Sequence, residues 1–113
     1  MLRHPTVFGF AGSMSGSFFW GESLGNPTMM SLYDATPPTG VSFYLDSGGD
    51  GACPPQAVDD SYCETVDMAN TLRAHGWTDG TSLHYVWAPD AQHNEAAWAA
   101  RLPGALQAWY PGP

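Results

Sequence analysis

Apolar positions fall into three short blocks and two longer periodic runs. Residues 6–13 (TVFGFAGS) are apolar and small. Residues 41–45 (VSFYL) are β-branched and aromatic, set between Pro37-Pro38-Thr39-Gly40 and Asp46-Ser47-Gly48-Gly49. Residues 82–88 (SLHYVWA) lie between Asp79-Gly80 and Pro89-Asp90. Short β-branched and aromatic blocks bounded by turn formers predict strands. The first two are apolar on both faces, which a buried parallel strand requires.

The two longer runs have helical spacing. One begins at Ser61, where Ser61 and Glu64 form a Ser-x-x-Glu capping box. Tyr62, Val66, Ala69 and then Leu72 or Arg73 follow, and Gly76 stands where a C′ glycine would stop the helix. The other begins after Asn94, a good N-cap, with Glu95 near the positive end of the helix dipole. Trp98, Leu102, Leu106 and Trp109 carry its period. Pro103 inside that run predicts a kink or break. Residues 18–40 read as a long connection with one irregular turn of helix.

The predicted order is strand, connection, strand, helix, strand, helix. This is an α/β pattern of about three parallel strands with flanking helices, because a strand–helix–strand unit places its strands parallel with a right-handed crossover. Function in such sheets collects at the carboxyl ends of the strands. The loop at 46–50 leaves the second strand and the loop at 90–93 leaves the third, so both reach one edge. Consecutive strands usually neighbour each other, which predicts their sequence order in space. The first strand then has a bare outer edge, a template for pairing and so for a homo-oligomer.

Composition narrows the partners. The 113 residues carry a net charge of -8, with three arginines and no lysine against eleven acidic side chains. No basic cluster exists to meet a nucleic acid, and no apolar run reaches the ~18 residues of a membrane span. Hydrophobic residues make up 43%, enough for a core. Cys53 and Cys63 flank a loop rich in Pro and Asp, and their spacing suits a disulfide. A bridge implies an extracellular or periplasmic, secreted protein. No secretion signal follows Met1, so the expectation is that one precedes it.

Candidate chemistry sits at the predicted edge. His93, in Ala91-Gln92-His93-Asn94-Glu95, lies between a strand and a helix, where a general base is well held. Asp50 is the first choice for a carboxylate to hold its Nδ1–H, with Asp60 and Asp46 as alternatives and Asp59 a further competitor. A serine nucleophile of this fold class sits on a Gly-x-Ser-x-Gly elbow, and the chain has none. In Gly12-Ser13-Met14-Ser15-Gly16 the flanking glycines fall at the wrong positions. Ser13, Ser15 and Ser17 therefore read as strand-end residues lining a pocket. An EF-hand is excluded, because position three lacks an oxygen ligand and Ala57 replaces the bidentate glutamate. An irregular calcium site drawn from Asp46, Asp50, Asp59 or Asp60 stays open. His75 and His84 read as structural, with no ligand spacing around them. No cofactor motif occurs.

His4-Pro5-Thr6-Val7-Phe8-Gly9, followed by Ser15-Gly16-Ser17-Phe18-Phe19-Trp20, resembles the esterase family of α/β hydrolases. That family includes feruloyl esterases, enterochelin esterase, S-formylglutathione hydrolase and the antigen 85 mycolyltransferases. Tyr44-Leu45-Asp46-Ser47-Gly48 is similar to its strand before the triad acid. His93-Asn94-Glu95-Ala96-Ala97-Trp98, then Arg101-Leu102-Pro103, is similar to its catalytic-histidine segment and is the most specific part. The resemblance implies a partial α/β-hydrolase fold, the C-terminal portion alone, acting on a small-molecule ester. It implies His93 and an aspartate as two members of a Ser-His-Asp triad, and Trp20 as a substrate-pocket residue. The nucleophile elbow and oxyanion hole would precede Met1, and the chain alone would be inactive. The competing expectations are a non-catalytic extracellular binding or structural module that pairs with another chain, and a calcium-binding extracellular domain.

Overall fold

The structure, a computed structural model, describes residue 4 and residues 6–21, 28–53 and 60–113. Three strands, β1 (Phe10–Met14), β2 (Ser42–Ser47) and β3 (Leu83–Trp87), alternate with three helices, α1 (Met29–Ala35), α2 (Tyr62–Ala74) and α3 (Glu95–Trp109). The strands form one parallel sheet in the order β1-β2-β3, as the alternation of strand and helix predicts. Met14 of β1 is level with Asp46 of β2, and Asp46 with Val86 of β3. The three carboxyl ends therefore finish together.

β2 is the buried centre. Phe43 and Leu45 face α1 and α2, packing with Phe18, Met68, Ala69 and Leu72. Fully burying side chains of this size stabilises the fold by about 1.5–3 kcal/mol each. Tyr44 and Asp46 face the other way, toward Trp109 and Arg101 of α3. The result is three layers, with α1 and α2 on one face and α3 on the other.

β1 differs from the expectation of burial on both faces. It is the outer strand, paired with β2 alone among the described residues, and Phe10 is 48% exposed. It also starts late: residues 6 and 7 form a turn in which the Val7 N–H donates to the His4 carbonyl at 3.1 Å. Gly12 has a packing reason, since a Cβ there would collide with the Trp109 indole.

The helix ends follow the sequence closely, with two differences. At α2 the Gly76 N–H donates to the Arg73 carbonyl at 3.0 Å and the Trp77 N–H to the Leu72 carbonyl at 3.1 Å. With Gly76 at φ +97° this is a Schellman stop. Ser61 is the N-cap of α2, but its side chain makes no capping bond. Its φ of +58° places it in the left-handed region, and the Thr65 hydroxyl donates to its carbonyl at 2.7 Å instead. At α3 the Asn94 side chain accepts the Ala97 N–H at 2.9 Å. Pro103 does not break α3. The carbonyl it leaves without a donor belongs to the exposed Ala99, which water can serve. The connection at 18–40 holds more than an irregular turn, for α1 is a helix of 7 residues capped by Thr28.

Candidate functional site

Two loops build the carboxyl edge. The Gly49 N–H donates to the Ala91 carbonyl at 2.8 Å, and the Asp90 N–H to the Gly49 carbonyl at 2.9 Å. The loop after β2 is thereby stitched to the loop after β3. Gly48 permits this approach, because a Cβ would strike the Ala91 carbonyl and the Asp60 carboxylate.

His93 follows that seam, one residue before the α3 cap. Its Nδ1 lies 2.8 Å from Asp60 Oδ1, with the imidazole 50% exposed and the aspartate 1% exposed. The other oxygen, Oδ2, accepts the Gly48 N–H at 2.6 Å and Arg101 Nη2 at 3.2 Å. A carboxylate this buried needs such donors to offset its lost hydration. They also leave Oδ1 directed at the histidine. Trp98 packs edge-on to the imidazole at 5.0 Å. Its indole N–H donates to Ser15 Oγ at 3.1 Å, and Arg101 Nη2 donates to the same oxygen at 2.8 Å.

Arg101 is the hub. Its Nε lies 3.1 Å from Asp46 Oδ1 as an ion contact, and Asp46 Oδ2 accepts the Tyr44 hydroxyl at 2.9 Å. Burial pushes the Asp46 carboxyl above its ordinary value, against the opposing pull of the Tyr44 hydrogen bond and the Arg101 charge. Burial, followed by the bond to Asp46, drives the Tyr44 phenol well above its usual range.

Of the four aspartates weighed as partners of His93, three lie among the described residues, and the structure brings Asp60 to it. Asp50 stands on the exposed part of the loop, where its Oδ1 accepts the Ala52 N–H at 3.0 Å. Asp46 is buried at 0% exposure and turned to Tyr44 and Arg101. Trp20 is 64% exposed in the turn after β1. Ser15 is buried at the end of β1 with φ +52°, as an acceptor for Trp98 and Arg101.

Cys53 and Cys63 form a disulfide. Among the described residues no three His, Cys, Asp or Glu side chains converge to hold a metal ion. Asp59 and Ala57 lie outside the described residues. Asp46 and Asp60 are already engaged by Arg101, which leaves them poorly disposed toward calcium. No helix among the described residues is long and apolar enough to cross a membrane. His75 pairs with Asp34 across 2.9 Å at the opposite edge of the sheet, and His84 lies half-buried on β3.

The sequence reading missed Arg101 as the centre of the ionic cluster. One signal was available: an arginine among Ala and Leu on an amphipathic helix, three residues after Trp98, in a chain with only three cations. The class that fold and site define is a three-layer α/β domain with a buried-carboxylate–histidine pair at its carboxyl edge. Neither a protein-family model, nor a curated protein, nor a solved structure matches the chain.

Proposed function

We propose that this chain supplies the histidine and the acid of a Ser-His-Asp ester hydrolase of the α/β-hydrolase type. The observation that carries the reading is the His93–Asp60 pair: a buried carboxylate, held through Oδ2 by the Gly48 N–H and Arg101, in ion contact through Oδ1 with one nitrogen of a half-exposed imidazole at the sheet edge where function collects. In this role Asp60 holds the proton on Nδ1 and leaves Nε2 to act as base. Nε2 takes the serine proton as the serine oxygen bonds to the ester carbonyl carbon. It returns that proton to the departing alcohol as the carbon–oxygen bond breaks, and water then releases the acyl group by the same path. Asp60 steadies the imidazolium in between.

The serine belongs to a strand alongside β1. The outer edge of β1, unpaired among the described residues and flanked by the exposed apolar side chains of Val7, Phe8 and Phe10, supports this. Trp20 would line the pocket for a small ester. The disulfide fits a protein that works outside the reducing cytoplasm. Where no such strand is supplied, the same edge is free to pair two copies of the chain.

The test compares this chain alone with the polypeptide that includes whatever the gene encodes ahead of Met1. The chain alone should hydrolyse p-nitrophenyl acetate at the background rate, because the nucleophile and oxyanion donors supply the two largest catalytic contributions. The longer polypeptide should turn it over with saturation. Saturable turnover by the chain alone would overturn the assignment and point back to Ser13 or Ser15. A longer polypeptide without activity would favour a binding module.

A further inference from the structure

Asp60 is buried, yet it belongs to a loop that begins on the exposed surface at Asp50, Ala52 and Cys53. Something must hold it in. Its own side-chain bonds do part of this, but its backbone continues into Ser61, a non-glycine residue at φ +58°. A left-handed serine is strained and persists only when its surroundings enforce it. The first turn of the helix that follows holds only the Ser61 carbonyl, which accepts the Thr65 N–H at 3.0 Å and the Thr65 hydroxyl at 2.7 Å. Ser61 makes no side-chain capping bond, so the amino end of α2 is not fixed in the usual way.

What fixes it covalently is Cys63. This residue is the second of α2, three after Asp60, and it is bridged to Cys53 with a sequence separation of 10. Cys63 Sγ also lies 3.7 Å from the Ala52 carbonyl. The bridge therefore closes a short covalent ring that contains Asp60. It anchors that ring to the strand-end loop whose Gly48 N–H receives the carboxylate. Tyr62 adds a ring contact to Trp87 of β3 at 5.5 Å. That contact ties α2 to the sheet but does not close the loop ahead of Asp60.

We propose that Cys53 and Cys63 are a positioning pair: their disulfide holds Asp60 against His93, so that the histidine's orientation depends on the redox state of the bridge. The sheet and its core do not depend on it, since Leu45, Met68, Leu72 and Leu83 pack among themselves on the α2 face. Reduction loosens the ring, Ser61 relaxes from its left-handed conformation, and Asp60 withdraws from the Nδ1 side of the imidazole. The proposal rests on the His93–Asp60 pair as the working part of the site. It implies a hydrolase switched off in a reducing compartment.

The experiment is nitrogen-15 NMR of the histidine rings at a pH where they are neutral. It compares the oxidised protein, the protein reduced and alkylated, and a Cys53→Ser/Cys63→Ser variant. In the oxidised protein His93 should carry its proton on Nδ1. In the other two it should revert to the Nε2-protonated form that dominates in a free histidine side chain, with sheet amides still protected from exchange. His75 is the internal control. It meets Asp34 through Nε2, away from the bridge, and its tautomer should not move. Asp60→Ala in the oxidised protein should reproduce the His93 change. Retention of the Nδ1 proton after reduction would overturn the proposal. Loss of the whole fold on reduction would overturn it too, because the bridge would then be a general staple. An oxidised protein in which His93 shows no preference for Nδ1 would instead sink the functional reading, and is distinguishable from both.

Discussion

Among the described residues are two histidine–aspartate pairs of nearly equal length. His93 meets Asp60 across 2.8 Å and His75 meets Asp34 across 2.9 Å. Distance does not separate them, but surroundings do. Asp34 is 69% exposed and water competes for it. An exposed pair of this kind contributes about 0–1 kcal/mol. Asp60 has no such solvent and is held by a backbone N–H and a buried guanidinium as well. The His75–Asp34 pair joins α1 to the end of α2 at the amino edge of the sheet. The His93–Asp60 pair sits at the carboxyl edge, with its imidazole half-exposed. A histidine–carboxylate contact thus gains a functional reading from the fixed orientation of the acid and from its edge of the sheet, and not from the contact itself.

The largest expected effect sharpens that contrast. Asp60→Ala should destabilise the protein by about 3–5 kcal/mol, because it strips a partner from the buried Arg101 and orphans the Gly48 N–H. Asp34→Ala should cost less than about 1 kcal/mol. Urea denaturation of the two variants measures both, and equal losses would break the comparison.

The sheet was legible in the chain because its signals are local. Residues 41–45 are β-branched and aromatic between turn formers, and they became the buried centre. Asn94 sets its helix end by its own side chain and Gly76 by its backbone geometry, while Ser61 marks an end in place though not in capping. The choice among aspartates was not legible. Asp50, Asp59 and Asp60 share one acidic loop, and nothing in their order ranks them. The choice depends on the left-handed Ser61 and on the reach of the Gly48 N–H, both products of the folded chain. Arg101 was illegible for a similar reason, since its partners Asp60 and Ser15 lie 41 and 86 positions away. The expected burial of β1 failed because apolar composition marks a strand that wants a neighbour, and here the outer neighbour is not among the described residues.

A second prediction addresses the seam that orients the buried pair. Gly48→Ala should cost about 1–3 kcal/mol, because the new Cβ meets the Ala91 carbonyl, a backbone atom that cannot swing aside. The His93 ring resonances should shift with it while those of His75 stay. A substitution with no effect on stability would mean the two loops are not tightly joined.

A smaller effect concerns pH. Burial holds the Asp46 carboxyl above the ordinary 3.8, so the folded state keeps a proton that the unfolded chain has begun to release. Stability should therefore fall as pH rises from about 3.8 through the raised value. Asp46→Asn should remove that part of the slope. Asp79 behaves in the opposite sense. The Arg73 guanidinium holds its carboxyl below 3.8, so its contribution is present above 3.8 and is lost as pH falls through the lowered value. Urea midpoints for Asp46→Asn and Asp79→Asn across acid pH separate the two windows. An unchanged slope above 3.8 in Asp46→Asn would contradict the assigned cause.

The most direct measurement of the central claim uses the two histidines against each other. In the polypeptide that includes whatever is encoded ahead of Met1, p-nitrophenyl ester hydrolysis is followed for His93→Ala and His75→Ala, with folding of each checked by denaturation. The account predicts that His93→Ala lowers kcat on the order of 10⁴-fold or more while His75→Ala leaves kcat unchanged. Equal rates in the two variants, or full activity without the His93 imidazole, would contradict it.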